Sequence, residues 1–209
     1  MIDKNAVWLV TGCSTGLGRA IAQQALRSGY RAVVTARDAS TVADLVDPHP
    51  QTAFAVSLDV TDAARVPAAI ASAENRFGGV DVLVNNAGYG YLGAFEEGED
   101  EDVRALFETN VFGLWQMVKA ALPGMRARGR GHVVNISSVG GLTTFPGKQN
   151  GDLILGARAI IAALEAQPPP LHLVIGSDAL DLARQKLVEL ARDFDAWETV
   201  TRSTDFAPG

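Results

Sequence analysis

The chain has 209 residues, 47% hydrophobic and 20% charged, with a net charge of −6. That composition supports a substantial buried core, and its negative balance argues against nucleic acid as the main partner, because phosphate recognition needs a positive surface. The lone Cys13 allows no intrachain disulfide, no apolar run approaches the roughly 20 residues of a membrane span, and Met1 to Asn5 lacks a secretory leader's pattern, so the expected location is the cytoplasm, with no membrane partner.

Strand and helix alternate from the start. Ala6 to Val10 is a short apolar run that reads as a strand. Leu17, Ala20, Ile21, Ala25 and Leu26 then recur at helical spacing, and Gly29 ends that helix. Arg31 to Ala36 reads as a second strand, and Ser40 is placed to cap a short helix containing Val42 and Leu45. Phe54 to Leu58 is a third strand. Asp62 suits the N-cap of a helix that buries Val66, Ala69, Ile70 and Ala73. Val80 to Val84 is nearly all apolar, as a parallel strand covered on both faces requires.

One long helix is expected from about Glu99 to Ala127, with Val103, Leu106, Phe107, Val111, Leu114, Val118 and Leu122 as its apolar stripe. The acidic cluster from Glu96 to Asp102 lies at its N-terminal end, where the helix dipole favours negative charge, and is not read as a metal site. Arg126, Arg128 and Arg130, punctuated by Gly129 and Gly131, read as a solvated helix end. His132 to Ser137 is a fifth strand, Ile154 to Leu164 a helix, and Leu171 to Ile175 a further strand. Ser177 is placed to cap a last helix with Leu180, Leu187 and Leu190 inside. The alternation predicts an α/β fold with a doubly wound, Rossmann-like parallel sheet, as a single domain over residues 1–209. Ligands of such sheets sit outside the carboxyl ends of the strands, so the chemistry belongs after Val10, Ala36, Leu58, Val84 and Ile136.

Those strand ends hold the unusual residues. Thr11-Gly12-Cys13-Ser14-Thr15-Gly16-Leu17-Gly18 follows a strand and opens a helix. Glycines let backbone approach a pyrophosphate, and a helix N-terminus offers free N–H groups. Cys13 reads as filling a small-residue slot, since no second cysteine or metal ligand lies near it. His49, His132 and His172 lack ligand spacing, and no metal is expected.

The Gly-x-x-x-Gly-x-Gly spacing resembles the cofactor loop of the classical short-chain dehydrogenase/reductase family. Asn85-Asn86-Ala87-Gly88, Asp59-Val60, Asn110 and Asn135-Ile136-Ser137-Ser138 resemble that family's further motifs, in its order. The resemblance implies an oxidoreductase that moves a hydride between a nicotinamide and an alcohol or carbonyl of a small molecule. It implies cofactor contacts at Gly12, Ser14, Thr15, Gly16, Leu17, Gly18, Asp59, Val60, Asn86, Ala87 and Gly88. Catalysis would involve Ser138, which polarises the carbonyl, and Asn110, which holds a water in the proton relay. A dimer or tetramer is expected only by family likeness. Ala36 takes the family's usual acidic position and Arg37 the position typical of NADP-preferring members, so NADP is the expected cofactor, with NAD as the weaker one. Stacking of Arg37 on adenine, or pairing with Asp38, is the alternative.

The family's general acid/base is a Tyr followed four residues later by a Lys. Counting on from Ser138 lands near Asn150 and Gly151, where there is no Tyr. Tyr30, Tyr89 and Tyr91 have no Lys four positions on. Thr143 to Gly147 looks like the approach to the Tyr motif, while Lys148 onward looks like the stretch before a much later helix. Two readings stay open. Either residues are omitted near Gly147 and Lys148, or the chain is truly shortened and binds a dinucleotide without catalysis.

Overall fold

The computed structural model describes residues 2–142 and 151–204. These form two compact units: residues 2–136 with 152–171, and residues 137–142 with 151 and 172–204. The junction at Gly147 and Lys148, with the flanking residues that suggest an omission, lies outside the described residues.

The first unit holds the sheet. β1 (Val7–Val10), β2 (Arg31–Ala36), β3 (Ala53–Ser57), β4 (Val82–Asn85) and β5 (His132–Asn135) are all parallel, in the order β3-β2-β1-β4-β5. The chain builds outward through β2 and β3, then returns to place β4 on the other side of β1. The topological switch therefore lies between β1 and β4, where such sheets open a crevice. The expected doubly wound α/β sheet is present.

Helices cover both faces. Val7 and Leu9 pack with Val33 and Leu83 against α3 (Arg65–Phe77) and α5 (Leu114–Ala127) through Val66, Ile70, Met117 and Ala121. Side chains alternate along a strand, so Trp8 faces the other way, where its ring lies 5.5 Å from that of Tyr30. Both are fully buried. Burial on both faces explains the unbroken apolar run of β1, and a side chain such as Leu9 contributes about 1.5–3 kcal/mol. α1 (Gly16–Arg27) and α6 (Leu153–Glu165) pack together in this unit. The Tyr30 hydroxyl donates to Glu165, whose carboxylate also pairs with Lys4 at 3.5 Å.

Several expectations need correction. Asp38, not Ser40, caps the 3-10 turn Ala39–Val42 that precedes α2 (Ala43–Val46): its Oδ1 accepts from the Ser40 N–H at 2.9 Å. A carboxylate two residues ahead of a free N–H closes this turn more directly than a hydroxyl inside it. Asp62 caps the turn just ahead of α3, accepting from the N–H groups of Ala64 and Arg65. The long helix is broken into α4 (Asp100–Phe107), a π-helical turn Glu108–Gly113, and α5. A π turn holds an extra residue and shifts the phase of the helix beyond it. The buried stripe is accordingly Gly113 at the end of the π turn, then Met117, Ala121 and Met125 of α5, one residue ahead of the expected Leu114, Val118 and Leu122, while Val103, Phe107 and Val111 are exposed.

Arg128 and Arg130 are not simply solvated. Both pair with Asp81, at 3.8 and 3.1 Å, and Arg128 donates to the Val80 carbonyl. Leu171 to Ile175 forms no strand, and Leu171, Leu173 and Val174 are exposed. A strand exists only against a neighbour that completes its hydrogen bonds, and this run has none among the described residues. The last helix, α7 (Ser177–Arg202), lies in the second unit and begins after Gly176 rather than under a Ser177 cap. Leu180 and Leu187 on it are exposed, not inside.

Candidate functional site

The strand ends of the first unit are tied together by two side chains. Thr11 leaves β1, and its hydroxyl accepts from the N–H groups of both Asn86 and Ala87 at 2.9 Å. The Asn86 side-chain amide answers by donating to the carbonyls of Thr11 and Gly12, at 2.9 and 3.2 Å. Thr11 N–H also donates to the Val84 carbonyl at 3.0 Å. The loop after β1 and the loop after β4 are thus joined across the switch point. In the sequence Thr11 stands out only as part of a glycine-rich run; a polar residue at the end of an apolar strand is the signal for this role.

The three loop glycines are needed for different reasons. Gly16 has φ +64 with open space around it, so only its backbone conformation demands glycine. A Cβ on Gly18 would lie 2.2 Å from the Asn86 side-chain nitrogen and 2.4 Å from the Gly12 carbonyl oxygen. Gly12 combines both conditions, with φ +70 and Ala87 backbone 3.0 Å from a Cβ. The loop therefore lies flat over Asn86. Thr15, ahead of α1, makes no side-chain cap, and the first turn carries no acidic residue, so neither neutralises that helix end.

Cys13 is fully buried; its N–H donates to Thr35 and its thiol to the Val10 carbonyl. Burial pushes its pKa up to about 12. The thiol stays protonated at neutral pH, so Cys13 should resist iodoacetamide in the native protein and label fully after unfolding. Native labelling would contradict its placement.

At the end of β2, Arg37 is exposed. Asp38 is occupied by its cap, and the Ser40 N–H holds its carboxyl below the usual range. Asp59 accepts from the N–H and hydroxyl of Thr61, which hold its carboxyl low, and the Arg37 charge adds to that effect. Val60 turns its side chain into the core, where Gly113 packs so closely that a Cβ would meet it at 2.7 Å. Only its backbone is left for a ligand.

Asn110 sits in the π-helical turn. Its amide donates to the Tyr89 carbonyl at 2.8 Å and accepts from the Tyr89 N–H at 3.1 Å. Its oxygen would also lie 3.0 Å from a Cβ on Gly88. Asn110 thus holds the backbone just past Gly88. At the end of β5, Asn135 accepts from Asn85 at 2.9 Å. Ser138 belongs to the second unit, where its hydroxyl accepts from the Gly140 N–H and caps the turn Val139–Gly141.

The cradle of the first unit thus gathers Gly12, Ser14, Thr15, Gly16, Leu17, Gly18, Asn86, Ala87 and Gly88 around the switch point. The family model described as short chain dehydrogenase matches residues 6–150. The chain belongs to that family. Oxidoreductase BOA17 of Botryotinia fuckeliana is 40% identical over 142 residues, 68% of this chain and 52% of that protein. The NADP-dependent 3-hydroxy acid dehydrogenase YdfG of Salmonella typhi is 35% identical over 66% of this chain and 56% of its own length. The chain spans about half the length of the curated relatives it matches. Among solved structures, a short-chain dehydrogenase from Streptomyces avermitilis is 35% identical with a TM-score of 0.90, covering 98% of this chain and 100% of that one. The alcohol dehydrogenase of the archaeon Thermococcus sibiricus, complexed with 5-hydroxy-NADP, has a TM-score of 0.63 at 29% identity, covering 78% of this chain and 69% of that one.

No helix among the described residues is long and apolar enough to cross a membrane.

Proposed function

We propose that the chain is built as an NADP-preferring oxidoreductase acting on the alcohol or carbonyl carbon of a small molecule. The cradle carries this reading: a loop pressed onto Asn86 by glycines that no Cβ could replace, beneath an uncapped helix end. Backbone so close to open space suits a pyrophosphate, which the N–H groups of Gly16, Leu17 and Gly18 would hold. Ser14 and Arg37 would take the 2′-phosphate that distinguishes NADP from NAD, with Asp59 and the Val60 backbone toward adenine. The names of the Salmonella and Thermococcus relatives support the same cofactor. When bound, that cofactor supplies the hydride. Ser138 polarises the carbonyl oxygen in preference to Ser137, since neighbouring side chains on an extended run face opposite ways. Asn110 acts through the Tyr89 backbone that it holds.

A second reading, dinucleotide binding without catalysis, is favoured by the tyrosines. Tyr30 is buried and bonded to Glu165, Tyr91 accepts from the Glu99 N–H, and neither these nor Tyr89 has a Lys four positions on. We favour residues omitted between Gly147 and Lys148. β5 has no outer neighbour among the described residues, its burial alternates between partial and none, and Val133 is 37% exposed.

Fluorescence titration tests the cofactor assignment. NADPH should bind more tightly than NADH. Arg37→Ala should weaken NADPH by about 1–3 kcal/mol, roughly 5- to 150-fold, with little effect on NADH. Equal affinities before substitution, or a preference that survives it, would show that Arg37 does not select the cofactor.

A further inference from the structure

A second guanidinium lies beside Ser14. Arg19 is near the start of α1, and its Nη1 donates to the Ser14 carbonyl at 3.5 Å. Its Nη2 donates to the carboxylate of Asp44, in the first turn of α2. Among the described residues Arg19 forms no other ion pair. A cation so close to the N-terminal end of a helix opposes the helix dipole, so Arg19 depends on an anion brought from elsewhere. Asp44 supplies one, but the pair is lopsided. The Arg19 side chain is 25% exposed and that of Asp44 is 65% exposed. The guanidinium is largely covered, while the carboxylate reaches it from solvent. Water competes for a carboxylate placed like this, and such a pair is held weakly.

We propose that Arg19 is a second cation for the 2′-phosphate of NADP, and that Asp44 restrains it in the cofactor-free protein. This rests on the cofactor assignment above and adds the two residues that set how strong the preference is. Nη1 already points to the Ser14 backbone, so only the Nη2 contact has to pass from carboxylate to phosphate. A phosphate monoester carries about −1.5 to −2 charges at neutral pH against one on Asp44, so the exchange favours the ligand. Asp44 stays close after release, and its charge subtracts from what the phosphate gains. Asp44 is thus a positioning residue that also caps the affinity. NAD presents a hydroxyl at this place, which gives Arg19 no reason to leave Asp44. The pair therefore separates the two cofactors while leaving NAD binding alone.

Calorimetric titration of the full chain with adenosine 2′,5′-bisphosphate and adenosine 5′-monophosphate tests this without the nicotinamide. Asp44→Asn should tighten the bisphosphate about threefold and leave the monophosphate within about twofold. Arg19→Gln should weaken the bisphosphate about tenfold, and in that background Asp44→Asn should add nothing. Asp47→Asn removes the same charge three residues further along and should change neither nucleotide. Thermal melts check that each variant folds; if Arg19→Gln does not, the contrast between Asp44→Asn and Asp47→Asn decides. Bisphosphate affinity untouched by Arg19→Gln overturns the proposal. So does a gain from Asp44→Asn that persists without Arg19, or an equal gain from Asp47→Asn, which would reduce the effect to net charge. Equal binding of the two nucleotides by the unaltered chain would sink the cofactor assignment and this proposal together. A bisphosphate preference that these variants leave unmoved would sink this proposal alone.

Discussion

Given NADPH and a panel of aldehydes and ketones, the 209-residue chain should turn over roughly 100- to 10,000-fold more slowly than an intact relative such as the Salmonella typhi enzyme, the range a positioned general acid/base contributes. A tyrosine near its ordinary pKa of about 10 is a poor base at neutral pH, and the family's nearby Lys corrects that. This chain has neither residue in place. NADPH should still bind, because every cradle residue lies ahead of Gly147 in the sequence. Binding measured alongside turnover separates a chemical defect from a failed fold. Turnover at the relative's rate would mean that another side chain moves the proton. An intact mass clearly above 22.0 kDa for the protein from its source, with peptide mapping that places the extra residues near Gly147 and Lys148, would support omitted residues and the full enzyme reading.

Gly18→Ala should abolish detectable NADPH binding and lower the melting temperature. The added carbon would sit 2.4 Å from the Gly12 carbonyl oxygen, which is backbone and cannot turn aside. The loop must lift, and lifting breaks the Asn86 bonds to Thr11 and Gly12 that hold it. Overpacking of this kind costs about 1–3 kcal/mol, at about 2–4 °C of melting temperature per kcal/mol for a chain this size. Gly90→Ala is the matched control, since a Cβ there meets nothing within 4 Å and its φ is ordinary. Wild-type affinity in Gly18→Ala would disprove the cradle as the cofactor site.

The sheet was readable in the sequence because its strands are buried on both faces, which leaves a near-continuous apolar signature at Val7–Val10 and Val82–Val84. The cradle was readable because glycine is the one residue that tolerates both a positive φ and a backbone contact. The π-helical turn was not, since weak helix formers such as Thr109, Asn110, Val111 and Gly113 do not say which kind of helical turn they adopt, and the approach of Gly113 to Val60 reveals the change of phase. Leu171 to Ile175 shows the opposite failure. Its residues suit a strand, but pairing is a property of neighbours, and composition does not reveal whether a neighbour is present. The Arg128 and Arg130 contacts escaped because their partner, Asp81, lies far away in the chain.

The hydroxyl of Thr11 and the amide of Asn86 have a consequence for the timing of cofactor capture. The bonds that join the two loops are made within the chain itself, so on the proposed reading the shape offered to a pyrophosphate exists before any ligand arrives. Little freedom remains to be frozen on docking, and such preorganisation lowers the entropic cost of association. Capture should then proceed as a single fast exponential set by encounter, with no slow rearrangement behind it, and any slower phase would originate beyond the switch point, outside the loops after β1 and β4.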